Sequence, residues 1–160
     1  MPKTNVEIVQ ELLAGAAKPE VVDRLVSPDA VYVSLTFDNP DLKKLMPWAG
    51  THHDGKAAIL KTFQDVNTFW HIEDLQIDTA FGDDGENVAL FGAFTTHSVV
   101  LHKRFRSPLC VFAKVRGGQI VFMQYMEDTF GTGSTFHRSG VAKFQSNPAG
   151  GEVEVGPTAA

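Results

Sequence analysis

Two runs of alternating residues, 104–116 and 119–129, meet at Gly117-Gly118. Both glycines can take positive φ, so the junction predicts a tight β-hairpin. A strand has a side-chain period of two, so the hairpin also divides its residues between two faces. Setting Arg116 opposite Gln119 puts Val115, Ala113, Val111 and Leu109 on one face with Ile120, Phe122, Gln124, Met126 and Asp128. That face reads as the interior, with Gln124 and Asp128 as its polar members. The opposite face carries Lys114, Phe112, Cys110, Val121, Met123 and Tyr125.

The elements before the hairpin are helical first and extended later. Thr4 and Glu7 have the spacing of a capping box. Val6, Val9, Leu13 and Ala16 follow at helical intervals, with Ile8 and Leu12 widening the stripe. A second, short helix begins near Pro19, with an apolar face of Val21, Val22, Leu25 and Val26, and Ser27-Pro28-Asp29 stops it. Residues 30–37 read as a strand, and 38–51 as a loop with two prolines. A third helix starts at Asp54, a good N-cap, and runs through Ile59, Leu60, Phe63, Val66 and Trp70. Residues 71–80 and 87–100 read as strands, the second bent or bulged at Gly92. Helices early and a strand meander late predict an α+β fold with an antiparallel sheet.

A length of 160 residues suits one domain. Twelve of its residues are Phe, against two Tyr and two Trp, and all twelve lie at or after Phe37. Phe needs no polar partner, so such a chain can line a large apolar interior. The net charge of −5 argues against a nucleic-acid groove. One cysteine, Cys110, excludes an intrachain disulfide framework and a cysteine-rich zinc site. The opening residues hold no long apolar run, and no stretch reaches the length of a membrane helix, so a soluble, cytoplasmic protein is expected. After Phe130 the composition turns to Gly, Ser, Thr, Pro and Ala. Residues 1–136 are expected to form the domain, and 137–160 a tail that is flexible or packed on a partner subunit. Glu152-Val153-Glu154-Val155 alternates but is short.

Met46-Pro47-Trp48-Ala49-Gly50-Thr51, followed by Gly55 and a helix with Ile59 and Phe63, resembles the entry to the third helix in the NTF2-like superfamily. The closer likeness is to its SnoaL-like and ketosteroid-isomerase-like branch. Val115-Arg116-Gly117-Gly118-Gln119-Ile120, running to Tyr125-Met126-Glu127-Asp128-Thr129, is similar to the closing hairpin and terminal strand of that branch. The resemblance spans residues 5–136. It implies a cone: a curved antiparallel or mixed sheet wrapped around the N-terminal helices, enclosing one deep apolar pocket. It also implies homodimers formed by sheet packing. Members include cyclases, isomerases, dehydratases, epoxide hydrolases and non-catalytic binders.

Asp128 is the first candidate for chemistry. A carboxyl in an apolar cavity has a raised pKa, which suits acid/base work near neutral pH, and the resemblance implies an aspartate on the last strand. The alternative is a strand cap, or a pair with Arg104 or Arg138. His97 is the second. A three-residue turn at Leu101-His102-Lys103 places it inward opposite Ser107, and a two-residue turn puts it outside. Gln124 can orient a ligand carbonyl or satisfy the backbone. Trp48 covers a pocket edge by resemblance, or plugs the loop. Tyr32 and Ser34 share a strand face opposite Val31 and Val33, and one of these sets meets the pocket. Ketosteroid isomerases carry an aspartate on this strand, whereas here no acid occurs before Asp38. Phe37, Phe63, Phe122 and Met126 are expected as apolar walls. His52-His53-Asp54 points to no metal site, because adjacent histidines in an extended loop diverge and Asp54 is wanted as a cap.

The expected function is a small-molecule pocket for an apolar ligand. If catalytic, it is a cofactor-free cyclase, isomerase or dehydratase, with Asp128 moving the proton and His97 or Gln124 orienting the substrate. The alternatives are a non-catalytic binder of a small hydrophobic ligand and a protein-interaction module. The apolar outer face of the hairpin predicts a homodimer.

Overall fold

The first turn forms where the capping box predicts. In the computed structural model, which describes residues 3–148 and 150–157, Thr4 caps helix α1 (Asn5–Gly15). The Thr4 hydroxyl accepts from the Glu7 N–H, and the Glu7 carboxylate accepts from the Thr4 N–H. Ile8, Val9 and Leu12 are its buried stripe. Pro19 opens α2 (Pro19–Leu25), which passes directly into strand β1 (Val26–Ser34). Ser27-Pro28-Asp29 thus lies within an irregular strand start.

Residues 38–51 are more ordered than the expected loop. Asn39 accepts from the N–H groups of Asp41 and Leu42, and Pro40 occupies the first position of helix α3 (Pro40–Leu45). Strand β2 (Gly50–His52) follows. Helix α4 (Gly55–Phe69) begins after Asp54, whose side chain makes no capping bond. Gly55 is required there, since a Cβ would stand 2.2 Å from the Ala30 carbonyl oxygen. The helix N-terminus therefore presses directly on β1.

The meander comprises β3 (Trp70–Gly82), β4 (Asn87–Ser98), β5 (Arg104–Arg116) and β6 (Gln119–Glu127). A short helix α5 (Thr129–Ser134) follows. Beyond it, β7 (Ala142–Ser146) and β8 (Gly151–Val155) form an antiparallel hairpin where no regular element was expected. The main sheet has the order β2-β1-β6-β5-β4-β3. All its pairs are antiparallel except β1 with β6, which is parallel. The helices α1, α2 and α4 fill its concave side, giving the α+β cone that the resemblance implies. No helix among the described residues is long and apolar enough to cross a membrane.

Bulges bend the sheet. The β3–β4 register shifts between Glu73 and Gln76 and again between Ile77 and Thr79, with Asp74 at φ 51°. Both extra residues lie on β3. Gly92 on β4 permits the close approach opposite them, because a Cβ there would sit 2.0 Å from the Gln76 carbonyl oxygen.

A third bulge corrects the expected facing of β6. Val115 pairs with Ile120, but Lys114 pairs with Phe122, so Val121 is an extra residue. Every position beyond it changes face. Met123, Tyr125 and Glu127 join Ala113, Val111 and Leu109 on the inside, while Phe122, Gln124 and Met126 turn outward.

Candidate functional site

A cavity of about 270 Å³ opens between the end of α1, helix α4 and the concave sheet. Its rim includes Ala14, Lys18, Asn67 and Leu75, all exposed. Its inner wall holds Phe94, Leu109 and Trp70, all buried. Helix α4 contributes Thr62 to its polar groups, and β1 and β6 contribute Tyr32, Ser34, Tyr125 and Glu127. Parallel pairing brings them together: Tyr32 registers with Met123, and Ser34 with Tyr125, so alternate residues of both strands enter the same space.

Glu127 is the acid of this cavity. It is half-buried and lines the cavity. Desolvation raises its pKa from 4.5 to about 7; a hydrogen bond from Thr132 lowers it, and the Asp128 charge raises it further. Thr132 Oγ1 stands 2.8 Å from Glu127 Oε1. Thr135 Oγ1 donates to the Thr132 carbonyl and accepts from Trp70 Nε1 at 2.7 Å, tying α5 to the aromatic wall.

Two phenols face the same space. Tyr32 is fully buried, and desolvation pushes its pKa up. Burial does the same to Tyr125, with the Glu127 charge adding to it. Both therefore remain protonated donors at neutral pH. Tyr125 is held edge-on by Phe63 at 5.9 Å and Phe94 at 6.5 Å. Tyr32 stacks on His52 at 6.0 Å. Ser34 Oγ lies within hydrogen-bonding reach of the Tyr32 phenol and opposes the effect of burial on its pKa, yet the contact is not a hydrogen bond of sound geometry and Ser34 Oγ has no other partner.

Leu35 ends β1 in strain. Its φ is 66°, the Thr36 N–H donates to the Ser34 carbonyl at 2.7 Å, and its own N–H donates to the Tyr125 carbonyl. This three-residue turn is an uncommon conformation for a side-chain-bearing residue. It directs Leu35 into the cavity lining beside Ser34.

Tyr32, Trp48 and Phe63 line the cavity, and of the two facing sets on β1, Tyr32 and Ser34 are the one that meets it. Asp128 does not line it. Its carboxylate accepts from the Gly131 N–H at 2.9 Å as the cap of α5. The bulge at Val121 put its neighbour Glu127 inside instead. His97 also lies elsewhere. The β4–β5 turn runs through residues 99–102, so His97 pairs with Arg104 rather than Ser107 and faces outward. There Nδ1 lies 3.0 Å from Glu73 Oε1 and 3.2 Å from an Arg104 nitrogen.

Gln124, Phe122 and Met126 are likewise on the outer face. Gln124 donates to the Met126 sulfur, and Phe122 packs on Phe112. Phe37 is 66% exposed and outside the cavity, because β1 stops three residues before it. His52 Nε2 lies 2.9 Å from the Trp48 carbonyl oxygen. Among the described residues no three His, Cys, Asp or Glu side chains are grouped to hold a metal.

A curved mixed sheet closed over helices, with a cavity at its concave side, is the NTF2-like fold, which solved structures of SnoaL-like and ketosteroid-isomerase-like proteins share. An NTF2-like protein from Burkholderia thailandensis superposes with a TM-score of 0.68 at 19% identity, covering 85% of this chain and 99% of that one. A SnoaL-like protein from Jannaschia sp. CCS1 superposes at 0.65 and 13% identity, covering 82% and 90%. No family model matches the chain. It is 42% identical over 154 residues to patulin biosynthesis cluster protein F of Penicillium expansum, covering 93% of this chain and 77% of that protein. It is 44% identical over 134 residues to patulin synthesis protein F of Aspergillus clavatus, covering 82% and 67%. The chain belongs to the family of these fungal proteins.

Proposed function

We propose that the chain is a cofactor-independent isomerase or cyclase of small-molecule biosynthesis, with Glu127 as its proton carrier. The observation that carries this reading is a single carboxyl in a mostly apolar cavity, with a pKa near 7 and two phenols beside it. At that pKa both forms of Glu127 are populated near neutrality, as a group that takes and returns a proton requires. The carboxylate removes a proton from carbon beside a carbonyl. The electron pair passes into the carbonyl oxygen, which takes a hydrogen bond from the Tyr32 or Tyr125 hydroxyl. The protonated Glu127 then delivers the proton to a different atom, completing an isomerisation or a ring closure with no net redox change. The names of the fungal relatives, which place them in patulin biosynthesis, support a biosynthetic small molecule as substrate.

The test is exchange of the α-protons of 2-tetralone in deuterated buffer, followed by proton NMR. Exchange above the buffer rate is expected from the native chain, and a loss of at least about a hundredfold from Glu127→Gln. Equal rates in the two proteins overturn the reading.

A further inference from the structure

Among the described residues, one fully buried side-chain polar atom of the cavity lining lacks a hydrogen-bond partner. Ser34 is 1% exposed, lines the cavity, and its hydroxyl has no partner of sound geometry. Leaving a buried hydroxyl unpaired forfeits its solvation with nothing in return, so such groups are nearly always satisfied. Its backbone is not free to turn the group elsewhere. Ser34 is paired with Tyr125, and its carbonyl accepts from the Thr36 N–H in the strained turn at Leu35.

The charges around it are one-sided. Among the described residues Glu127 is the only acid in the lining, with the charge of its neighbour Asp128 acting on it, and Tyr32 and Tyr125 stand beside it. Lys18 is the only cation of the lining among the described residues, and it stands exposed at the rim. A ligand carboxylate inside would meet ionised Glu127 with no buried cation to offset it. The volume of about 270 Å³ is at the small end of ligand pockets.

We infer that the ligand is an uncharged one- or two-ring compound that sets an acceptor oxygen on Ser34 Oγ. This rests on the cavity being the substrate site and names the class of molecule that enters it. Ser34 anchors the oxygen of the bound, uncharged ketone; the tyrosine bond of the proposed proton transfer forms on the same oxygen as negative charge develops there.

Both tryptophans, Trp48 and Trp70, are in the cavity wall, so their fluorescence reports occupancy. Three probes of one skeleton are titrated at pH 8: tetralin, 2-tetralone and 1,2,3,4-tetrahydro-2-naphthoate. The ketone is expected to bind about fivefold tighter than tetralin, as one added hydrogen bond allows. Ser34→Ala and Ser34→Cys are expected to remove most of that advantage while leaving tetralin within about twofold. The carboxylate is expected to bind at least about tenfold more weakly than the ketone, with the gap narrowed in Glu127→Gln. A carboxylate that binds as tightly as the ketone overturns the inference, as does a ketone advantage that survives in both Ser34 variants. Ketone selectivity without Glu127-dependent exchange supports this inference and removes the acid–base reading. Exchange without any effect of Ser34 does the reverse.

Discussion

Thr132 Oγ1 lies 2.8 Å from Glu127 Oε1 and 3.0 Å from the Asp128 carbonyl oxygen. A hydroxyl has one hydrogen to donate. With Glu127 ionised, that hydrogen goes to the carboxylate. With Glu127 protonated, the acid donates to Thr132, whose hydrogen turns to the Asp128 carbonyl. Both protonation states are thus satisfied without moving the backbone. Thr132→Val removes a hydrogen bond that favours the ionised form. It is expected to raise the Glu127 pKa by roughly one unit, seen as an alkaline shift in the pH profile of 2-tetralone exchange.

Stability should depend on pH through the same group. The folded pKa of about 7 lies above the ordinary 4.5. Below pH 4.5 Glu127 is protonated in both the folded and the unfolded chain, and its contribution is fully present. As pH rises toward 7 the unfolded chain ionises first, and stability is lost. The difference reaches about 3 kcal/mol above pH 7. Glu127→Gln does not titrate, so it is expected to be the more stable protein at pH 8, with the gap closing below pH 5. Urea unfolding at both pH values measures this.

Asp128 is a helix cap, and asparagine caps as well as aspartate. Asp128→Asn is therefore expected to keep 2-tetralone exchange within about threefold of the native rate. Its lost charge should lower the Glu127 pKa slightly, since Asp128 raises it. Asp128→Ala is expected to cost about 1 kcal/mol of stability. Abolished exchange in a folded Asn variant would return Asp128 to the mechanism.

The outer sheet face carries Phe91, stacked on Phe81, and Phe112, packed on Phe122, with Cys110 of β5 in register with Phe91 on one side and Met126 on the other. Phe81 and Phe91 are 56% and 42% exposed, which is unusual for large apolar groups on one face. Two copies packed through this face would cover them. Light scattering at micromolar concentration is expected to return twice the chain mass, and Phe122→Glu to return the monomer.

Much of this is legible in the sequence. The capping box at Thr4 and the hairpin at Gly117-Gly118 depend on residues with a distinctive local chemistry, and Gly92 marked a bend, although the extra residues lie on β3 opposite it. Phe63 was legible because its helix face is defined by its neighbours, whereas Tyr32 was one of two alternatives on β1 and Trp48, in the turn before β2, rested on the resemblance. Asn39-Pro40 carried a helix-start signal, obscured by the second proline of that stretch. Val121 carried none. A bulge there needs no glycine, and its valine is as strand-prone as its neighbours. That silent residue moved Asp128 out of the cavity and Glu127 in. The facing of His97 depended likewise on the length of one turn.

The consequence of that bulge reaches beyond one assignment. Two adjacent acids stand at the end of β6, and the count of residues between Gly118 and Phe122 selects which of them faces the cavity. Insertion or loss of a single codon in that interval exchanges the inward acid and re-sorts Tyr125 and Met126 at the same stroke. The lining of the cavity is thereby encoded in strand length as well as in residue identity. Two relatives with identical acids need not share a reaction, unless their hairpins also match in length.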